Sequence, residues 1–440
     1  MGKIDSHISI MEEPKRAKDS EYLIRKRIKI DHSNIEIETP FKILDGKSIT
    51  LNDATNIIEG IKKPIFECAR RVEYRYNVWS NLYYLLTDAS RDKTTGLNDF
   101  FSLRKDLYDN YPTVLSLVFR DDPFKRKKFV IKDENDEKKN VIVPGIDGSS
   151  YESLLDYIHT GSKAFVLSPD LDLNQESRIN TTSYLNFIDW NMATLSEFNK
   201  KPIFAPLQVD LNERNTDRIL QHYKTKGYGR IWINFNATHL SGIYFWRVRS
   251  LLRKLDRRFG LENVFLYYSH IKKESNPHIK DDSVLSSDIM PQFFASDFLG
   301  VNQASPRGGD KKEMEKSIIT RINNGEFKNR DAYDEAMKDH RTRIFDPSSY
   351  YYWKIEKYPR SLPLTKEYLQ RSQINKLFNS FLLRKEVENT KDFLFNNDNA
   401  VRPYLKKKKA LKDNSTVMNQ LVFEEKASQQ TRLFEKLGKL

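Results

Sequence analysis

Five short apolar runs in the middle of the chain each end on residues that could do chemistry. "AFVLSPDLDL" (164–173) closes on Asp170 and Asp172, and "KPIFAPLQVD" (201–210) on Gln208 and Asp210. "GRIWINFNA" (229–237) closes on Asn234 and Asn236, "ENVFLYYSHI" (262–271) on Ser269 and His270, and "FFASDFLGVN" (293–302) on Asp297 and Asn302. A carboxylate closing a buried strand sits at a desolvated pocket mouth, where it can serve as nucleophile or as acid and base. Any one such aspartate is equally a loop cap; agreement among five ends argues for a site. Carboxylates without a cysteine or histidine cluster suggest glycosyl chemistry, in which one attacks an anomeric carbon and another moves protons. The chain has a single cysteine, Cys68, and scattered histidines, His270 and His278 among them. An intramolecular disulfide and a cysteine-rich zinc site are thereby excluded, and no metal and no cofactor are expected.

The elements that must position these residues are strands alternating with helices. Between the runs lie helical stretches such as "NTDRILQHYKTKGYG" and "GIYFWRVRSLLRKLDRRFG". Strands that are apolar throughout, each followed by a helix, indicate parallel βα units. No GxGxxG follows a strand, so the dinucleotide-binding arrangement lacks its fingerprint. The expected fold is α/β, a (β/α)8 TIM-type barrel over 35–310, with reactive groups at the C-terminal strand ends. A β-hairpin insertion is expected at about 120–148, where "KKFVI" and "NVIVPGI" flank "KDENDEKK". The region from "LNDATNIIEG" to "YDNYPTVLSLVF" reads as mixed and mostly helical. Residues 1–34 read as a polar N-terminal arm, and 311–440 as a helical, basic C-terminal extension.

A formal charge of +13 biases the chain toward polyanions. Nucleic acid, DNA or RNA, is the expected partner, with Lys125–Lys128 ("KRKK") and Lys406, Lys407, Lys408 and Lys409 as candidate phosphate contacts. "SSYYYWKIEKYPR" mixes aromatics with Lys354, Lys357 and Arg360, a composition suited to base stacking or to core packing. No apolar run approaches the roughly 18 residues that span a bilayer, so no membrane partner and a cytoplasmic location are expected.

The order of these motifs resembles the tRNA-guanine transglycosylase superfamily, barrel enzymes that exchange guanine for a 7-deazaguanine. "IEIETPFKIL" is similar to the family's opening hairpin through Thr39 and Pro40, and "LLTDASR" to its "LTDSGG" strand. The resemblance implies Asp88 as the general base, Asp170 or Asp172 as the base-binding carboxylate and Gln208 from the family's "QGG" strand. "IWINFNA" with Asn234 and Asn236 matches the next strand, and "FFASDFLGVNQASPR" implies Asp297 as nucleophile, with Arg307 on a phosphate. Ala89 and Ser90 stand where the family has glycines, and its CxCxxC…H zinc site is absent. The implied activity is therefore that of a zinc-less branch replacing guanine in nucleic acid, DNA favoured over tRNA, through a covalent Asp intermediate. A 7-deazaguanine base would be the small-molecule substrate. Two other readings compete: a non-catalytic nucleic-acid-binding or assembly protein on a degenerate barrel, and a glycoside hydrolase using Asp170 and Asp297.

Overall fold

The computed structural model describes residues 8–132, 138–173, 179–198, 200–272, 281–302, 311–397 and 399–422. The fold is mixed α/β. Its parallel strands are β1 (Phe41–Lys42), β2 (Leu44–Asp45), β3 (Phe66–Val72), β4 (Thr113–Phe119), β5 (Val166–Leu167), β6 (Asp170–Leu171), β7 (Ile203–Gln208), β8 (Arg230–Asn234), β9 (Phe265–Ser269) and β10 (Phe298–Leu299). A six-stranded sheet has the order β5-β7-β8-β9-β10-β1, and a four-stranded sheet the order β6-β4-β3-β2. Each of the five apolar runs thus contains a parallel strand. In β4 and β7 every residue is buried, because helices cover the outside of strands that also face the core.

The register aligns the chemistry. Gln208 pairs with Asn234, and Asn234 with Ser269, so three strand ends lie level. The following helices are fixed by caps that the sequence supplies. Asp147 accepts from Ser150 N–H, Asn212 accepts from Asn215 N–H, and Gly227 closes helix Glu213–Lys226 at φ +76°. Strands Lys127–Lys132 and Lys138–Val143 pair antiparallel.

Three expectations are corrected. Residues 8–34 are not simply a polar arm: Ile8–Ile10 pairs with Arg27–Ile30, which pairs with Ile35–Glu38. Ile8, Ile28, Ile30 and Ile37 turn inward from this sheet, and burying them outweighs the solvation of the intervening charges. The mostly helical reading of 51–119 missed β3 and β4, two of the longest strands. The C-terminal region is not purely helical either. Strand Tyr351–Lys354 pairs with Arg343–Asp346 and Ser283–Leu285, and it buries Tyr352 while Tyr350 is buried beside it. Those aromatics are core rather than a stacking surface. Among the described residues no helix is long and apolar enough to cross a membrane.

Candidate active site

Asp170, Asp172, Gln208, Asn234 and Asn236 come together at the C-terminal strand ends. The Asp170 carboxylate accepts from Asn234 Nδ2 at 2.6 Å, Gln208 Nε2 at 3.2 Å, the Tyr184 hydroxyl at 3.1 Å and the Leu171 N–H at 2.8 Å. Burial nevertheless pushes its pKa up to about 6, the amide donors offsetting only part of the desolvation. Asp170 can therefore take up and release a proton near neutral pH.

Asp172, two residues on, has the opposite environment. Its Oδ2 accepts from Arg71 at 2.9 Å and from Arg120 at 2.5 Å, with Glu73 flanking both guanidiniums. Asn236 Nδ2 lies 3.4 Å from both Asp172 Oδ1 and Asp210 Oδ2, joining the three groups. Two acceptors in this row, Asp210 Oδ1 and Asn236 Oδ1, are buried without a hydrogen-bond partner among the described residues. Burial first, and then the Asp172 charge, pushes the Asp210 pKa up.

A second line of polar groups runs inward. His270 Nδ1 lies 3.1 Å from Asn234 Oδ1, and its Nε2 lies 3.2 Å from Ser116 Oγ. Ser116 Oγ also lies 2.6 Å from Glu67 Oε1, and Glu67 Oε2 accepts from the Tyr267 hydroxyl at 2.5 Å and from Val301 N–H at 2.7 Å. Asn234 Oδ1 can only accept, so His270 carries its proton on Nδ1. Burial, reinforced by Arg71, lowers the His270 pKa to about 3 and keeps the ring neutral. The chain Glu67–Ser116–His270–Asn234 holds the Asn234 amide with its Nδ2 donating to Asp170.

The structure does not bring Asp88 or Asp297 to this cluster. Asp88 caps the C-terminus of helix Tyr76–Thr87, where it accepts from Ser90 and pairs with Arg91 in solvent. "NLYYLLT" is part of an amphipathic helix rather than a strand, which leaves the following Asp88 at the surface. Asp297 precedes β10 instead of closing it, because "MPQF" forms a 3₁₀ turn, Met290–Phe293, and only Phe298–Leu299 pairs. Its carboxylate accepts from Leu266 N–H near the start of β9 and pairs with Lys26. Since the strands are parallel, Asp297 lies toward the ends opposite Asp170 and Gln208. Asn302 donates to Asp288.

The basic candidates divide similarly. Lys406, Lys407 and Lys409 are exposed, whereas Lys408 is buried, donating to the Pro347 carbonyl at 2.6 Å and pairing with Glu386 at 2.8 Å. Lys127 is likewise buried against Asp121 and the Trp79 ring. Arg307 and His278 fall outside the described residues. Sequence reasoning missed Glu67, Arg71, Ser116, Arg120 and Tyr184. The alternation in "FECARRV" was the available signal for the first two, since period two places Glu67, Ala69 and Arg71 on one face. Among the described residues no three His, Cys, Asp or Glu side chains are grouped to hold a metal ion.

No family model and no curated protein match the chain. Solved structures similar to part of it include two of morphinone reductase in complex with tetrahydroNAD. Each is 10% identical, covers 53% of this chain and 77% of its own, and has a TM-score of 0.29. A modular endo-β-1,4-mannanase from Cellulomonas fimi is 9% identical, covers 62% of this chain and 69% of its own, and has a TM-score of 0.33.

Proposed function

We propose that the parallel strands close a (β/α)8 barrel and that its C-terminal mouth exchanges guanine in nucleic acid, DNA in preference to tRNA, for a 7-deazaguanine base. Closure is supported by two bridging segments. Residues 41–45 pair first with β10 and then with β3, while residues 166–171 pair first with β7 and then with β4.

The observation that carries the function is the row of unlike groups on adjacent strand ends: Asp170 protonatable, Asp172 held between arginines, and two unpaired acceptors on Asp210 and Asn236. The N1–H and N2–H2 edge of guanine supplies donors matching those acceptors. The target base must first leave its stack. Asp172 then attacks C1′, the C1′–N9 bond breaks, and neutral Asp170 delivers its proton to the departing guanine. The incoming deazaguanine gives its N9 proton back to Asp170 and attacks C1′, releasing Asp172. The roles that the family resemblance gave to Asp297 and Asp88 thus pass to Asp172 and Asp170.

One observation favours a non-catalytic nucleic-acid-binding role instead: protein donors already occupy both oxygens of Asp170. Mass spectrometry of nucleosides from DNA and tRNA of cells with and without the gene separates the two. A deazaguanine nucleoside that disappears with the gene supports exchange; identical nucleoside profiles contradict it.

A further inference from the structure

Beside the strand-end cluster lies a cavity of about 280 Å³ between helices Glu213–Lys226 and Ile243–Phe259. Gln208 forms part of its wall while donating to Asp170, so cavity and site share a side chain. Its other walls include Leu211, Ile243, Trp246, Arg247 and Lys254.

Helix Ile243–Phe259 buries Phe245, Val248, Leu251, Leu252 and Leu255, which is a complete core-facing stripe. Ile243 and Trp246 lie off that stripe, one turn apart, and are 62% and 55% exposed. Packing therefore does not account for the tryptophan. The same helix carries six arginines and lysines against one aspartate; Lys254 and Arg258 pair with Asp217, and Arg247 faces the cavity beside the indole, with Glu213 also in the wall. Arg247 is held in place at the cavity wall, donating to the Asp210 carbonyl at 3.3 Å with its guanidinium 5.2 Å from the Tyr244 ring centroid. A flat apolar face flanked by fixed positive charge is the chemistry that binds a nucleotide: the base stacks and the phosphate pairs with the guanidinium.

We infer that this cavity takes a nucleotide adjacent to the target guanine on an unpaired DNA strand, its base on Trp246 and its phosphate on Arg247. The inference rests on the base-exchange reading and gives that site a grip on the neighbouring residue of its substrate.

The test is anisotropy of a labelled single-stranded DNA of about 12 nucleotides titrated with the full chain. Trp246→Ala should weaken binding about tenfold at fixed salt, and Trp246→Phe should restore most of it, because any aromatic face stacks. Arg247→Ala should reduce the slope of log affinity against log salt by about one. Thermal melting of each variant controls for folding. If the wild type binds DNA and Trp246→Ala binds equally well, the subsite is refuted while the base-exchange reading stands. If the wild type binds no DNA even at low salt, that reading fails and the subsite with it.

Discussion

Lys26 and Asp297 form an ion pair at 3.1 Å in which both side chains are about 1% exposed. Lys26 lies in the N-terminal region that packs beneath the parallel strands, and its Nζ also donates to the Val264 carbonyl at 2.5 Å. The pair fastens the N-terminal sheet to the start of β9. Asp297→Asn leaves a buried ammonium without its counter-charge, at a cost of about 3–5 kcal/mol. Urea denaturation should show that loss, and exchange per folded molecule should change little. A variant of unaltered stability without exchange would return Asp297 to the chemistry.

Asp170 makes the pH dependence specific. Its carboxyl, pushed up to about 6 by burial, binds a proton more tightly in the folded than in the unfolded chain. Its contribution to stability is therefore complete below about pH 4 and lost as pH rises through about 6. His270, held down to about 3, acts in the opposite sense, contributing above the ordinary imidazole value and losing that contribution as pH falls. Subtracting the stability of Asp170→Asn from that of the wild type leaves the Asp170 contribution. The difference should fall by roughly 3 kcal/mol between about pH 4 and pH 7. A flat difference would contradict the protonatable assignment.

Arg71 and Arg120 converge on one oxygen of Asp172. Replacing either with Lys keeps the charge and loses the planar fork, so kcat should drop by about tenfold or more while DNA affinity is retained. Steady-state exchange with DNA in excess measures the first and anisotropy the second. Equal losses in both would assign the arginines to DNA binding instead.

The lysine cluster separates by burial. Lys406→Ala with Lys407→Ala should weaken DNA binding and flatten its salt dependence while stability changes by less than about 0.5 kcal/mol. Lys408→Ala leaves Glu386 buried without its ammonium and should cost about 3 kcal/mol. Melting curves and salt titrations of the two variants check both. A salt-dependence change in Lys408→Ala equal to that of the exposed pair would contradict the division.

The strand-end residues were legible because continuous apolar runs broken by polar punctuation mark strands covered on both faces, and five of them coincide with β5 to β10. Asp170, Asp172, Gln208, Asn234 and Asn236 followed directly from those ends. Composition did not reveal the partners. Arg71 and Glu67 sit in a strand whose charges masked its period, and Lys26 is buried only because Asp297 neutralises it across 271 residues. Asp297 itself was misplaced because a 3₁₀ turn packed into the core has the same apolar composition as a strand. Local pattern shows burial; which end of a strand a residue occupies depends on pairing that the pattern does not encode.

The most direct test of the proposed site is exchange of isotopically labelled guanine out of DNA by Asp172→Asn. The change keeps the size of the side chain and removes the carboxylate proposed to attack C1′. The expected variant is a folded protein that still binds DNA, loses exchange by at least about a thousandfold, and leaves no covalent DNA adduct where the wild type leaves one. Exchange at the wild-type rate in a folded Asp172→Asn protein would contradict the proposed site.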